Sequence, residues 1–255
     1  MDNSFYSKYL TTSSLTHSRA RLFLFSLSFL TLFLFGCKDS SDAYLEKGKV
    51  LLREGKTREG IGYLNQAIEK DLENAEAFNS RGVAYFELKE YPNAMLDYRQ
   101  AIQINPELYL PYFNRALLFS AQNQLDSALS DYSRAAQLAP DTADIYLNRG
   151  QVYALLDQIP MAIQDFKKAV QLDEGNPLAW YNLGNTYYRQ QEYAQATLAF
   201  NRATRNDPKF GKAFYGLGLS QYENGEKELA CLSFKQAERL GFAEAVAASS
   251  KYCAP

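Results

Sequence analysis

The sequence predicts an all-α solenoid, and three observations predict it. A small residue recurs every 34 residues without insertion, at Gly48, Gly82, Ala116, Gly150, Gly184 and Gly218. An aromatic stands four residues before each, at Tyr44, Phe78, Tyr112, Tyr146, Trp180 and Phe214. An alanine stands nineteen residues after each, at Ala67, Ala101, Ala135, Ala169, Ala203 and Ala237. A fixed period of this length marks one supersecondary unit stacked on copies of itself. The six repeats run 41–74, 75–108, 109–142, 143–176, 177–210 and 211–244.

Each repeat reads as two helices, A over about positions 2–14 and B over about positions 18–30. In repeat five, Trp180, Leu183, Gly184 and Tyr187 recur at helical spacing and make one apolar face. Position 20 is small throughout (Gly60, Ala94, Ala128, Ala162, Ala196, Ala230), and four residues later comes a large apolar side chain (Leu64, Tyr98, Tyr132, Phe166, Phe200, Phe234). A hole and a knob on adjacent turns suit antiparallel helix packing. Pro106, Pro140 and Pro208, at position 32, are expected to end helix B, because proline cannot continue the hydrogen-bond ladder. Repeat four lacks that proline, and Gly175 is expected to end its helix through a left-handed cap. Residues Phe242 to Tyr252 read as a short capping helix, with 245–255 completing the chain. Gly216-x-Gly218 follows no strand and lies inside helix A, so it reads as packing and not as a phosphate loop.

Arginine occupies position 7 in repeats two to four (Arg81, Arg115, Arg149), and aspartate occupies position 23 in the same three (Asp97, Asp131, Asp165). Repeats five and six lose both members together, to Leu183 with Ala199 and Leu217 with Ser233. The joint switch predicts an ion pair between helices A and B inside each of these repeats, holding register and not binding ligand; pairing to the next repeat is the alternative and would give only two pairs.

The beat resembles the tetratricopeptide repeat. It is fullest in Trp180-x-x-Leu183-Gly184-x-x-Tyr187, then Ala196-x-x-x-Phe200, then Pro208, and the resemblance covers 41–244. It implies a right-handed superhelix whose A helices line a concave groove through positions 2, 5, 6, 9, 12 and 13. Position 6 holds Asn114, Asn148 and Asn182 in three successive repeats. Asparagine carries a donor and an acceptor, so a ladder of them can bracket peptide groups of an extended ligand. Asn79, Gln151, Tyr181, Asn185 and Tyr188 surround the ladder in a mix of polar and aromatic surface suited to binding. The competing reading is a solvated helix face. A clamp for two carboxylates would need neighbouring inward cations, and Lys49 and Lys212 are far apart.

Residues 22–35 form an apolar run of fourteen, short for a spanning helix and right for a signal-peptide core, with Arg19 and Arg21 before it. It ends in Leu34-Phe35-Gly36-Cys37, which resembles the lipobox of bacterial lipoproteins. That resemblance implies removal of 1–36, lipidation of Cys37 and a short tether over 37–42. An ordinary secretory signal with a chance cysteine is the alternative. Several acyl chains anchor stably where one is marginal. Lys38 directly follows the cysteine, where inner-membrane retention would place an aspartate, so an outer-membrane location is expected, on its periplasmic face or at the cell surface.

Loss of 1–36 leaves 219 residues with 24 Lys+Arg against 28 Asp+Glu, a net charge of −4. A mildly acidic chain without a basic stripe is a poor nucleic-acid binder. A hydrophobic content of 47% argues for a packed core and against disorder. The only histidine, His17, falls in the removed segment, so no histidine base or metal ligand remains. Cofactors, metals and catalytic residues are therefore not expected. Cys231 and Cys253 either pair, in an oxidising envelope, or stay buried thiols. Two functions follow as expectations. One is a lipid-anchored, non-enzymatic adaptor holding a segment of another envelope protein in its groove. The other is a structural assembly factor of an outer-membrane machine, binding through its convex face or edge.

Overall fold

The computed structural model describes residues 40–253, which among them form thirteen α-helices. The expected signal segment 1–36 and residues 37–39 of the expected 37–42 tether, Cys37 among them, lie outside the described residues, while Ser41 and Asp42 already belong to the first helix. The chain divides into two compact units after Asn114. The first holds α1 (Ser41–Arg53), α2 (Thr57–Lys70), α3 (Ala75–Glu87), α4 (Tyr91–Ile104) and the opening turns of α5 (Tyr109–Ala121). The second holds the rest of α5, then α6 (Leu125–Leu138), α7 (Ala143–Leu155), α8 (Ile159–Leu172), α9 (Pro177–Arg189), α10 (Tyr193–Asn206), α11 (Gly211–Glu223), α12 (Lys227–Arg239) and α13 (Glu244–Tyr252). Inside each unit the helices pack in chain order as helix-turn-helix pairs, each leaning on the next pair.

In the five repeats with glycine at position 8, the knob fills the glycine notch of its own helix A. A Cβ on Gly82 would stand 2.6 Å from the Tyr98 ring, one on Gly150 2.8 Å from Phe166, and one on Gly184 2.8 Å from Phe200. All six knobs are at most 1% exposed. Burying each such side chain contributes about 1.5–3 kcal/mol. Gly216 and Gly218 fit the packing reading, because added methyls would strike Phe200 and Phe234.

The turn between helices A and B has one conformation in all six repeats. Its position-15 residue is left-handed: Gly55, Lys89, Asn123, Asp157, Gln191 and Gly225, with φ between 58° and 86°. The next N–H reaches back five residues each time, as in Lys56 N to Leu51 O at 2.9 Å and Glu192 N to Tyr187 O at 3.0 Å. This is the Schellman closure, which satisfies carbonyls that the helix end leaves open.

Helix B ends differently from expectation. It stops at position 30 in repeats one to five, with or without proline. Asp71, Asn105, Asp173 and Asp207 follow the last helical residue in four of these, and each accepts the N–H two residues on (2.9–3.2 Å). An Asx turn thus follows the helix in these four repeats, while repeat three stops at the same position with Ala139 as its cap. Gly175 is corrected accordingly: it is not left-handed, and its N–H donates to Asp173 Oδ1 at 3.2 Å. The final helix α13 packs on α12 through buried Ala245 and Ala248, with Tyr252 against Tyr222 (centroids 4.4 Å).

Candidate functional site

The three arginine–aspartate pairs form inside their own repeats. Arg81 Nε and Nη2 donate to the two Asp97 carboxylate oxygens, both at 2.8 Å. Arg115 grips Asp131 at 2.7 and 2.9 Å, and Arg149 grips Asp165 at 2.7 and 2.8 Å. The third guanidinium nitrogen reaches the preceding repeat, Arg81 to Asn65 at 2.8 Å and Arg149 to Ser133 at 3.3 Å. Each of these two guanidinium groups also lies near two aromatics of its helix, at positions 4 and 11: Phe78 and Tyr85 for Arg81, Tyr146 and Tyr153 for Arg149 (5.5–5.9 Å). Bonding to Asp97 holds Arg81 more firmly protonated, whereas burial lifts the Asp97 carboxyl above its ordinary range despite Arg81. In each pair the aspartate is buried and the arginine largely so, and the two charges are spent on each other.

The position-6 asparagines have unequal surroundings. Asn114 is buried and donates to Asn79 Oδ1 at 2.9 Å, so those two satisfy each other. Asn148 is buried and donates to the carbonyl of Asp144 at 2.7 Å, within its own helix. Asn182 is half-buried, and its Nδ2 is buried with no hydrogen-bond partner among the described residues. An amide N–H left so costs about 1–3 kcal/mol unless a ligand supplies an acceptor.

Asn182 lies in a cavity of about 390 Å³ between α7 and α9. Gln151 lines its α7 side and Asn185 its α9 side, both half-buried, with the Phe166 knob in the lining. Arg189 bridges from the end of α9 to the Ala154 carbonyl (3.1 Å) and the Asp157 carboxylate (2.7 Å). Thr186 donates to the Asn182 backbone carbonyl at 2.6 Å. The lining offers amide donors and acceptors over an aromatic floor, which suits a peptide backbone and supplies no acid–base pair. Tyr181 instead packs between Phe200 (5.8 Å) and Phe210 (5.0 Å), with Lys212 over its ring. Tyr188 meets Tyr193 edge-on at 5.4 Å, and burial, then Glu223, raises its hydroxyl pKa, keeping it a donor.

Cys231 and Cys253 are joined by a disulfide, with Cα atoms 5.5 Å apart, fastening α13 to α12. Gln221, at the position that Tyr187 holds in repeat five, is buried and accepts from Ser233 Oγ at 2.7 Å. Among the described residues no group of His, Cys, Asp and Glu is arranged to hold a metal, and no helix is long and apolar enough to cross a membrane.

Family models of the tetratricopeptide repeat match residues 45–108, 118–157, 155–191, 177–210 and 212–239. The chain belongs to the tetratricopeptide repeat family. Curated relatives match locally. The human protein O-mannosyl-transferase TMTC3 is 32% identical over 82 residues, 31% of this chain and 9% of that protein. The DnaJ homolog subfamily C member 3 homolog of Dictyostelium discoideum is 39% identical over 67 residues, 26% of this chain and 13% of that one. The chain thus spans a small part of each. Solved structures match over most of this tetratricopeptide array: PilF of Pseudomonas aeruginosa (TM-score 0.72, 21% identity, 78% of this chain and 91% of that one), the type IV pilus biogenesis factor PilW (0.70, 18%, 82% and 97%) and YrrB, described as having an unusual peptide-binding site (0.65, 20%, 74% and 97%). At such identities the likeness is one of fold.

Proposed function

We propose that this tetratricopeptide protein is a non-enzymatic adaptor, anchored by lipid on Cys37 in a bacterial outer membrane, that holds an extended segment of another envelope protein. The observation that carries this reading is the partnerless Asn182 amide inside a cavity lined by Gln151 and Asn185. A peptide carbonyl there would satisfy the amide, and the flanking side chains would bracket the next peptide groups. YrrB, of like fold, is described as having a peptide-binding site.

The test compares envelope pull-downs by the tagged full-length chain and its Asn182→Ala and Gln151→Ala variants. Capture should fall in both, with the melting temperature of Asn182→Ala unchanged or raised, because an unsatisfied polar group is removed. Undiminished capture by both variants refutes the groove. Asn114→Ala and Asn148→Ala, whose side chains are bonded internally, should act through stability. Loss of metabolic palmitate labelling in Cys37→Ala tests the anchor, and continued labelling refutes it.

A second reading is a structural part of an outer-membrane machine, binding through the opposite face or an edge. The match to PilW, a type IV pilus biogenesis factor, favours it. Normal capture by the groove variants would select it.

A further inference from the structure

Loss of the arginine–aspartate pair in repeat five leaves more than a leucine in its place. In repeats two and four the guanidinium lies near the position-4 and position-11 aromatics. Repeat five keeps both aromatics, as Trp180 and Tyr187, but has Leu183 and Ala199 where the pair would be. The shorter side chains leave a cavity of about 540 Å³ walled by Trp180, Leu183, Tyr187 and Ala199, between α8, α9 and α10. This is a different part of α9 from the Asn182 groove, which opens between α7 and α9.

The rim of the cavity is cationic. Lys167 of α8 and Arg202 and Arg205 of α10 line it, all three exposed, and no carboxylate side chain does. Lys167 stands over the Tyr187 ring at 5.6 Å. Thr197 also lines the cavity, and its hydroxyl is buried with no partner among the described residues. An aromatic slot alone would suit a cation, as it does inside repeats two and four. Here the aspartate that completed that arrangement is Ala199, and three positive charges stand nearby, so a cationic guest is repelled and an anionic one attracted.

We propose that this cavity is a second docking site, which takes an acidic peptide segment with one aliphatic or aromatic side chain between flanking carboxylates. The apolar anchor enters between Trp180 and Tyr187 and rests on Leu183 and Ala199. The carboxylates reach Arg202, Arg205 and Lys167, and the Thr197 hydroxyl meets a peptide group. Peptide is favoured over lipid because the lining holds this unpaired hydroxyl and the amides of Gln195 and Asn201, which serve a backbone and not an acyl chain.

Trp180 is the only tryptophan in the chain, so its fluorescence reports this site alone. The full-length chain is titrated with a capped peptide alternating glutamate and leucine, with its lysine–leucine counterpart, and with phosphatidylglycerol vesicles. The acidic peptide should give a saturable change. The Arg202→Glu/Arg205→Glu variant should weaken binding about tenfold or more. Leu183→Arg/Ala199→Asp, which rebuilds the pair of repeats two to four, should fill the cavity and abolish binding while helicity is retained. Should that variant fail to fold, the charge-reversed one decides. Equal affinity for the basic peptide, unchanged affinity on charge reversal, or a response to vesicles but not to the acidic peptide overturns the proposal.

Discussion

The Arg81–Asp97 pair gives the sharpest test of how the repeats hold register. Asp97 is the deeper partner, its side chain 6% exposed against 20% for Arg81. Arg81→Leu strands a buried carboxylate and should cost about 3–5 kcal/mol. Asp97→Ala should cost less, about 1–3 kcal/mol, because the partly exposed arginine keeps its bond to Asn65. The double variant copies Leu183 and Ala199 of repeat five and should cost only about 0–1 kcal/mol, since an apolar pair avoids both desolvations. The singles therefore overshoot the double by about 3 kcal/mol or more, seen as melting-temperature differences of roughly 2–4 °C per kcal/mol for a chain of this size. Circular dichroism melts of the four proteins read the cycle. Strict additivity would refute a coupled pair. The pH dependence adds a sign. Burial raises the Asp97 carboxyl, so the folded chain holds that proton more tightly than the unfolded chain. Its contribution is complete below the unfolded pKa of about 3.9 and is lost as the pH rises through the folded one. Stability of the wild type relative to Asp97→Asn should then fall between acid and neutral pH, and a rise would contradict the assignment.

Other sites give equally direct outcomes. Gln191→Gly, at a left-handed turn residue, should stabilise by roughly 1 kcal/mol, whereas Gly55→Val, at the equivalent turn, should destabilise by more; urea midpoints read both. Gly82→Leu forces a side chain into the Tyr98 ring and should cost at least about 1–3 kcal/mol, measurable as lost helicity on mild heating. Cys253→Ser opens a bond spanning 22 residues and should lower stability by about 3 kcal/mol, with faster amide exchange confined to α13 and its contacts on α12.

Most of the fold was legible because packing repeats its demands. The 34-residue beat of small and aromatic residues reports a notch and a knob that meet in every pair, and the helix spans follow to within about one residue. Two devices were missed although their signal was printed in the chain. Position 31 is Asp or Asn in four repeats, whereas proline stands at position 32 in only three. Position 15 is Gly55 and Gly225 at the ends of the array and Lys89, Asn123, Asp157 and Gln191 between. Those side chains conceal a left-handed backbone that only the flanking Schellman bonds reveal. The candidate site was less legible for a different reason. Residue type marks Asn114, Asn148 and Asn182 as equals, but only neighbours outside the motif decide which amide is already bonded.

Repeat five shows why a scaffold so regular leaves its guests unspecified. Gly184 and Phe200 must be what they are, because two helices touch there. Asn182 and Leu183 immediately precede that contact on α9, about 100° apart around the helix, and neither is needed for it. One leaves an amide without an acceptor on the α7 side. The other removes the cation that fills the aromatic slot in repeats two and four. Both leave the knob and notch intact, so they remain free to vary with the partner. A variant that disturbs one of these cavities should therefore leave the other's affinity within about twofold, since the rigid helix between them is held by Phe200 and not by either ligand. Loss at both sites from Asn182→Ala alone would mean that the two cavities are a single site.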